Sequence, residues 1–312
     1  MRKRMTAALL FAFLVGAVSF AQAADDKVAG KTIAVVPKSL ANPFFVAMSD
    51  SVKDAAAKYG INAQIQAPSE STDVDKQISI LETFITQGVD AIVCGPCSST
   101  AIVDVIIEAD KKGIPFFLID SGADESPYVS YVATNNFEGG RMAARWMAEN
   151  VKEGDVAILD GFAGNDACTQ RQKGFMEEIA NYPKIKVVAS EYGNAEVAKA
   201  MEVMENFLTA YPNLKGVFAV TDNMAIGAGS AVGAAGKRSQ VKILGFDGQP
   251  NAAEMIMAGS IDATLAQKPM YMGVLTVEQI VKHFKGEKFP RFTDTGCDVV
   301  DITNAKEYLD WH

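Results

Sequence analysis

Short apolar runs alternate with longer amphipathic stretches along nearly the whole chain. From Lys31 onward, the runs at 32–36, 62–66, 91–94, 115–119 and 128–133 have the length and the β-branched or aromatic content of buried strands, and helical patterns lie between the first four of them at 43–59, 72–87 and 100–112. The pattern restarts after Thr134. A helix over about 137–151 precedes strands at 155–159, 187–189, 217–220, 241–246 and 261–266, with helices beginning near Asp166, Ala195, Asn223, Asn251 and Met270. Such a strand–helix series predicts parallel sheets covered by helices. Gly60, Gly88 and Gly113 follow the first three helices and are expected to cap their carboxyl ends. The glycine-rich stretch from Gly227 to Gly236 falls inside a helical pattern and reads as close helix packing, and no G-x-G-x-x-G stands at a strand–helix junction.

The two halves differ in sequence but share this architecture, so the fold class is α/β with two similar parallel-sheet βα lobes. Three strand ends carry an acidic residue: Leu118-Ile119-Asp120, Val220-Thr221-Asp222 and Gly245-Phe246-Asp247. Lobes facing one cleft would bring such tips together, and α/β proteins bind ligands at the carboxyl ends of their strands. The first strand leads directly to Asn42-Pro43-Phe44-Phe45, read as an N-cap, a proline at the first helical position and two rings opening a helix. Adjacent helix residues point about 100° apart, so Phe44 and Phe45 share one core stripe only if another layer closes over them. Either both are core, or one faces a cleft.

The amino terminus decides the compartment. Arg2-Lys3-Arg4, the apolar run from Ala7 to Phe20 and the small residues of Ala21-Gln22-Ala23 form a signal-peptide pattern over residues 1–23, with cleavage expected before Ala24 and a periplasmic product. The position after cleavage is not Cys, so no lipid anchor is indicated. Cleavage removes basic residues from a chain whose formal net charge is already −9. With no basic run, nucleic-acid binding is excluded as a function, because phosphate neutralisation needs clustered Lys and Arg.

Candidate chemistry is sparse. His283 and His312 are the two histidines, and neither zinc spacing nor a triad can be assembled around them. No metal or other cofactor is expected. Asp120 and Asp247 each follow an apolar strand and precede a Ser-Gly or Gly turn, so they are ligand carboxylates or turn caps; Asp222 reads as a cap. Arg171 lies more than one turn into a helix that opens at Asn165-Asp166, and offers a fork of donors able to hold two ligand oxygens. Cys94-Gly95-Pro96-Cys97 has the C-x-x-C spacing of a thiol oxidoreductase, but it follows the third strand of a long series with no preceding Trp, which favours a structural disulfide or inert thiols. Spacing does not decide whether Cys168 and Cys297 pair.

Together, Asn42-Pro43-Phe44-Phe45, Gly113-Ile114-Pro115 leading to Asp120, Arg171 with Gly174-Phe175, Thr221-Asp222-Asn223-Met224-Ala225, Gly245-Phe246-Asp247-Gly248 and Ala266-Gln267 with Pro269 resemble the periplasmic sugar-binding proteins of the ribose-binding type, the receptors of ABC importers. The resemblance implies two lobes joined by a three-crossing hinge near Thr134, near Gln267-Lys268 and near Gly296-Cys297. It allots 24–133 plus 268–296 to the first lobe and 134–267 plus 297–312 to the second. It implies a monomer that binds a small sugar or polyol and delivers it to a membrane ABC permease, or, alternatively, presents it to a chemoreceptor or histidine kinase. Carried over residue by residue, the sugar contacts fall on Asn42, Phe44, Phe45, Asp120, Arg171, Asp247 and Gln267. Three positions depart from the ribose-binding pattern: Ser121 replaces an Arg, Thr221 replaces an Asn, and the neighbourhood of Ala195 lacks a third aromatic. Asn165 is the expected replacement contact. The short Ser121 predicts room for a ligand larger than ribose or of another shape, and two carboxylates against one guanidinium predict a neutral one.

Overall fold

A computed structural model describes residues 27–311. Its first sheet runs β2 (Asn62–Ile65), β1 (Thr32–Val36), β3 (Ala91–Cys94), β4 (Phe116–Ile119), β5 (Ser130–Ala133) and β11 (Phe292–Asp294), all parallel. The second repeats the order with β7 (Ile185–Tyr192), β6 (Gly154–Asp160), β8 (Gly216–Ala219), β9 (Lys242–Asp247) and β10 (Ala263–Ala266), and closes with β12 (Asp298–Asp301) antiparallel to β10. In both, the first strand of the lobe lies inside the second, so the chain reverses direction across the sheet between β1 and β3 and between β6 and β8. Connections diverge there and leave a crevice at the strand ends.

Helices α1 (Pro43–Lys58), α2 (Val74–Gln87), α3 (Val103–Lys111) and α9 (Pro269–Lys285) cover the first sheet, while α4 (Asn136–Val151), α5 (Asp166–Ile179), α6 (Val197–Ala210), α7 (Asp222–Ala234) and α8 (Pro250–Met257) cover the second. The strands buried on both faces are apolar save for Thr32 at the start of β1, which is why their runs were readable. Gly60, Gly88 and Gly113 all adopt φ of 70° just beyond a helix end, as expected of carboxyl caps. Close approach is used at α4 and α5, where a Cβ on Gly140 would run into the Arg171 carbonyl and one on Gly174 into that of Phe137. That contact fixes the height of Arg171.

β11 and β12 were not foreseen, being three and four residues long with little apolar pattern. β7 runs well beyond 187–189 because it is a half-exposed edge strand whose apolar signal fades after Ala189. The signal-peptide pattern lies outside the described residues. The chain passes between the sheets three times, at 134–135, 267–268 and 295–297. The Thr134 hydroxyl donates to the Gly296 carbonyl at 3.2 Å, and Lys268 pairs with Asp298 at 3.0 Å, so the crossings brace one another. One detail departs from the allotment of 297–312 to the second lobe: Ala305 and Tyr308 pack into the core of the second sheet, but Trp311 packs against that of the first.

Candidate ligand-binding site

The site is built from equivalent parts of the two lobes. Asn42 caps α1 after β1, its Oδ1 accepting the Phe44 N–H at 3.0 Å, and Asn165 caps α5 after β6, accepting the Cys168 N–H at 3.0 Å. Asp120 directly follows β4 and Asp247 ends β9, both with left-handed backbone, φ 66° and 130°. At Asp120 the Ser121 N–H returns to the Ile119 carbonyl at 2.7 Å, a tight γ-turn, and the Tyr131 hydroxyl donates to the Asp120 carbonyl at 3.3 Å. Non-glycine residues held this way cost roughly 1 to 3 kcal/mol each and gather at functional sites.

Between the lobes lies a cavity of about 40 Å³, the space of one or two waters, lined by Asn42, Phe44, Phe45, Asp120, Asn165, Arg171, Thr221 and Asp247 among the expected residues. Phe44 and Phe45 meet edge to face, their ring centroids 5.4 Å apart. Ser121 and Gln267 sit one layer back: Ser121 bonds into the site through Asn165 Nδ2 at 3.4 Å, and Gln267 Nε2 donates to Asp247 Oδ1 at 2.8 Å. Ser99 N–H reaches the Gly164 carbonyl at 3.0 Å, so the rims of the lobes touch and the cleft is closed.

Arg171 is held from several sides. Its Nε donates to Asn136 Oδ1 at 2.9 Å, Nη1 donates to the Val220 carbonyl at 2.8 Å and to Asp247 Oδ1 at 3.1 Å, and the guanidinium lies 3.8 Å above the Phe246 ring. Burial pushes the Asp247 carboxyl up, while Arg171 and Gln267 pull it down. Asp222 is not a side-chain cap. It sits fully buried beneath the site, Oδ2 accepting the Gln249 N–H at 2.8 Å and Oδ1 the Thr264 hydroxyl at 2.6 Å, so it braces the turn that carries Asp247. Burial, and then the neighbouring Asp247, push its carboxyl to about 7.

Lys38 was missed, as were Ser71, Phe162, Ala167 and Cys168. The Lys38 ammonium, almost wholly buried, pairs with Asp120, donates to Ser121 Oγ at 2.6 Å and lies 5.1 Å from the centre of the Phe45 ring. Its signal was available: a Lys two residues past a buried strand, just upstream of the Asn-Pro-Phe-Phe opening. Two expectations change. The room beside Ser121 is taken by Lys38, so Ser121 alone does not argue for a larger ligand. The site carries two cations against Asp120 and Asp247, not one.

All four cysteines are free, so the structural-disulfide reading is replaced by inert thiols. Cys94 and Cys97 are 0% and 1% exposed, and burial raises both thiols, Cys97 to about 12. That is the opposite of an activated thiol pair. Among the described residues, no cluster of His, Cys, Asp or Glu is arranged to hold a metal, and no helix is long and apolar enough to cross a membrane.

Residues 33–288 match the model of the periplasmic binding protein domain. The chain belongs to this family. It is 35% identical over 279 residues to the ribose import binding protein RbsB of Escherichia coli, covering 89% of this chain and 93% of that protein. It is 33% identical over 264 residues to the D-allose-binding periplasmic protein of the same organism, covering 82% and 85%. Among solved structures, an ABC transporter periplasmic solute binding protein from Actinobacillus succinogenes with bound D-allose matches with a TM-score of 0.84 at 34% identity, covering 89% of this chain and all of that one. The family is one of solute-binding receptors, and the interlobe cavity lies between the strand ends where its fold places a ligand.

Proposed function

We propose that this protein is a periplasmic receptor that captures one small neutral sugar or polyol between its lobes and hands it to an ABC-type importer. The observation that carries this reading is the composition of the closed cavity. Two strand-end carboxylates are each matched by a cation, Lys38 with Asp120 and Arg171 with Asp247, beside the Phe44–Phe45 pair. Ring faces suit the C–H face of a sugar, and carboxylates and charged donors suit its hydroxyls. The buried Thr221 hydroxyl lines the cavity without a protein partner, and Gln267 Oε1 behind it also lacks one. A ligand hydroxyl supplies what the first of these needs. A net charge on the ligand would upset a balanced, desolvated set.

Relatives named for ribose and allose support a pentose or hexose as the ligand. Closure is the function: a ligand that bridges Asp120 in one lobe and Asp247 in the other makes contacts available only in the closed form and shifts the population toward it. An importer then distinguishes loaded from empty receptor by shape. In this reading the protein carries out no reaction, acts as a monomer, and is exported with cleavage after Ala23; a chemoreceptor would read the same closed surface.

Thermal denaturation of ligand-stripped protein against pentoses, hexoses, polyols, inositols, sugar phosphates and dicarboxylates tests the proposal. A neutral polyhydroxylated ligand should raise the melting temperature with concentration, as any ligand specific to the folded state must. A sugar phosphate or dicarboxylate as the tightest ligand, or no response to any neutral sugar, sinks it.

A further inference from the structure

The carboxyl-terminal tail does not end in the lobe that its last secondary structure belongs to. β12 lies in the second sheet, and the single-turn helix at Ala305–Tyr308 packs into the second core through Ala305, fully buried, and Tyr308. Leu309 and Asp310 are exposed. Trp311 then leaves that lobe and packs against the first core, its ring edge-to-face with Phe44 at 5.8 Å between centroids and 77° between planes. Phe44 lines the interlobe cavity and stacks in the same manner on Phe45.

We propose that Trp311 is a positioning residue for the sugar site: a clamp that the second lobe places on the ligand-facing helix of the first, adding a fourth link to the three hinge crossings. The inference rests on the sugar-receptor reading for its effect on affinity, but not for its effect on the ligand-free conformation. Three residues of chain reach at most about 11 Å from Tyr308. An opening that carries the second core away from α1 by more than the slack in that short tether must pull Trp311 off Phe44. The aromatic contact therefore belongs to the closed arrangement, and its loss favours the open one. Because Phe44 is wedged between Phe45 and Trp311, the clamp also limits where the Phe44 ring can stand against a ligand.

Removing an edge-to-face aromatic partner should cost about three- to tenfold in affinity. The test uses full-length protein with Trp311→Ala, Trp311→Phe, and a Trp146→Phe background in which Trp311 is the one remaining tryptophan. In ligand-free solution, small-angle scattering should give a larger radius of gyration for Trp311→Ala than for wild type, with Trp311→Phe between them or equal to wild type. In the Trp146→Phe background, acrylamide should quench Trp311 less when D-ribose or D-allose is saturating than without sugar. Calorimetry with the same sugars should show the three- to tenfold loss in Trp311→Ala and its recovery in Trp311→Phe. Thermal melts establish that each variant is folded. Scattering that is the same for folded wild type and Trp311→Ala, with unchanged affinity and with Trp311 quenching in the Trp146→Phe background that does not change on sugar binding, overturns the clamp. If neither sugar binds wild type, the sugar reading fails there, while the scattering comparison still decides the clamp.

Discussion

Asp120 and Asp247 hold equivalent stations in the two lobes. Each stands at the carboxyl end of the fourth strand of its lobe in chain order, each has left-handed backbone, and each is paired with a buried cation supplied from the segment after its lobe's first strand: Lys38 after β1, Arg171 from α5 after β6. The cleft is in this sense a repeated half-site. Strain at both strand ends aims a carboxylate into the cavity, and a buried cation pairs with each.

Replacing Asp247 should separate binding from backbone strain. Asp247→Ala leaves Arg171 and a ligand hydroxyl without their partner and should weaken sugar binding by about 2 to 4 kcal/mol in calorimetry. Asp247→Gly should bind equally poorly yet unfold at higher denaturant, by about 1 kcal/mol, because glycine accepts the φ of 130° that alanine resists. Equal stability of the two variants would mean that the backbone there is unstrained.

Lys38 and Asp120 form a pair that neither can leave cheaply. Lys38→Met strands a buried carboxylate and should destabilise the protein by about 3 to 5 kcal/mol, whereas adding Asp120→Asn should restore most of that loss. Urea denaturation of the single and double variants measures it. A Lys38→Met protein as stable as wild type would show that the ammonium does not hold Asp120.

Asp222 gives the stability a pH dependence of definite sign. Its carboxyl is raised from 3.8 to about 7 in the folded protein, so the folded state holds a proton that the unfolded chain has released between those values. Stability from this group is full below about pH 4 and is lost as pH rises through 7. Asp222→Asn keeps an uncharged group of the same shape under the Asp247 turn, so the stability of wild type relative to this variant should decline from pH 5 to pH 8. A relative stability that rises over that interval refutes the assignment.

The thiols should be silent in the native state. Burial raises Cys168 and Cys297 to about 11 and Cys97 to about 12, and Cys94 also well above its ordinary value. Ellman's reagent at pH 8 should therefore react slowly with folded protein and promptly with unfolded protein. Cys94→Ser combined with Cys97→Ser should leave sugar affinity within about tenfold, a change of no more than about 1.4 kcal/mol. Fast native labelling of either cysteine, or complete loss of binding by a cooperatively melting variant, would place the thiols in the site.

The α/β class, the two-lobe repeat and most elements were legible in the order of residues, because strands buried on both faces must be apolar runs and helix ends must meet their orphaned backbone groups with Asn, Pro and Gly. The same local logic drew attention to Asn42, Phe44, Phe45, Asp120 and Asp247 at strand ends and a helix start, whereas Arg171, a turn and more into its helix, and the reading of the whole set as sugar contacts came from the family resemblance. What stayed hidden depended on distance along the chain. Lys38 and Asp120 are 82 residues apart, and a lone Lys has no periodicity to betray it. Asp222 looked like a cap because capping is local, whereas its partners Thr264 and Gln249 arrive from other strands and turns. β11, β12 and the return of Trp311 to the first lobe were decided by pairing and packing alone, since segments of three or four residues carry too little pattern to announce a partner. Local propensity shaped the two halves of the cleft; the charge balance inside it and the links across it exist only once the lobes have met.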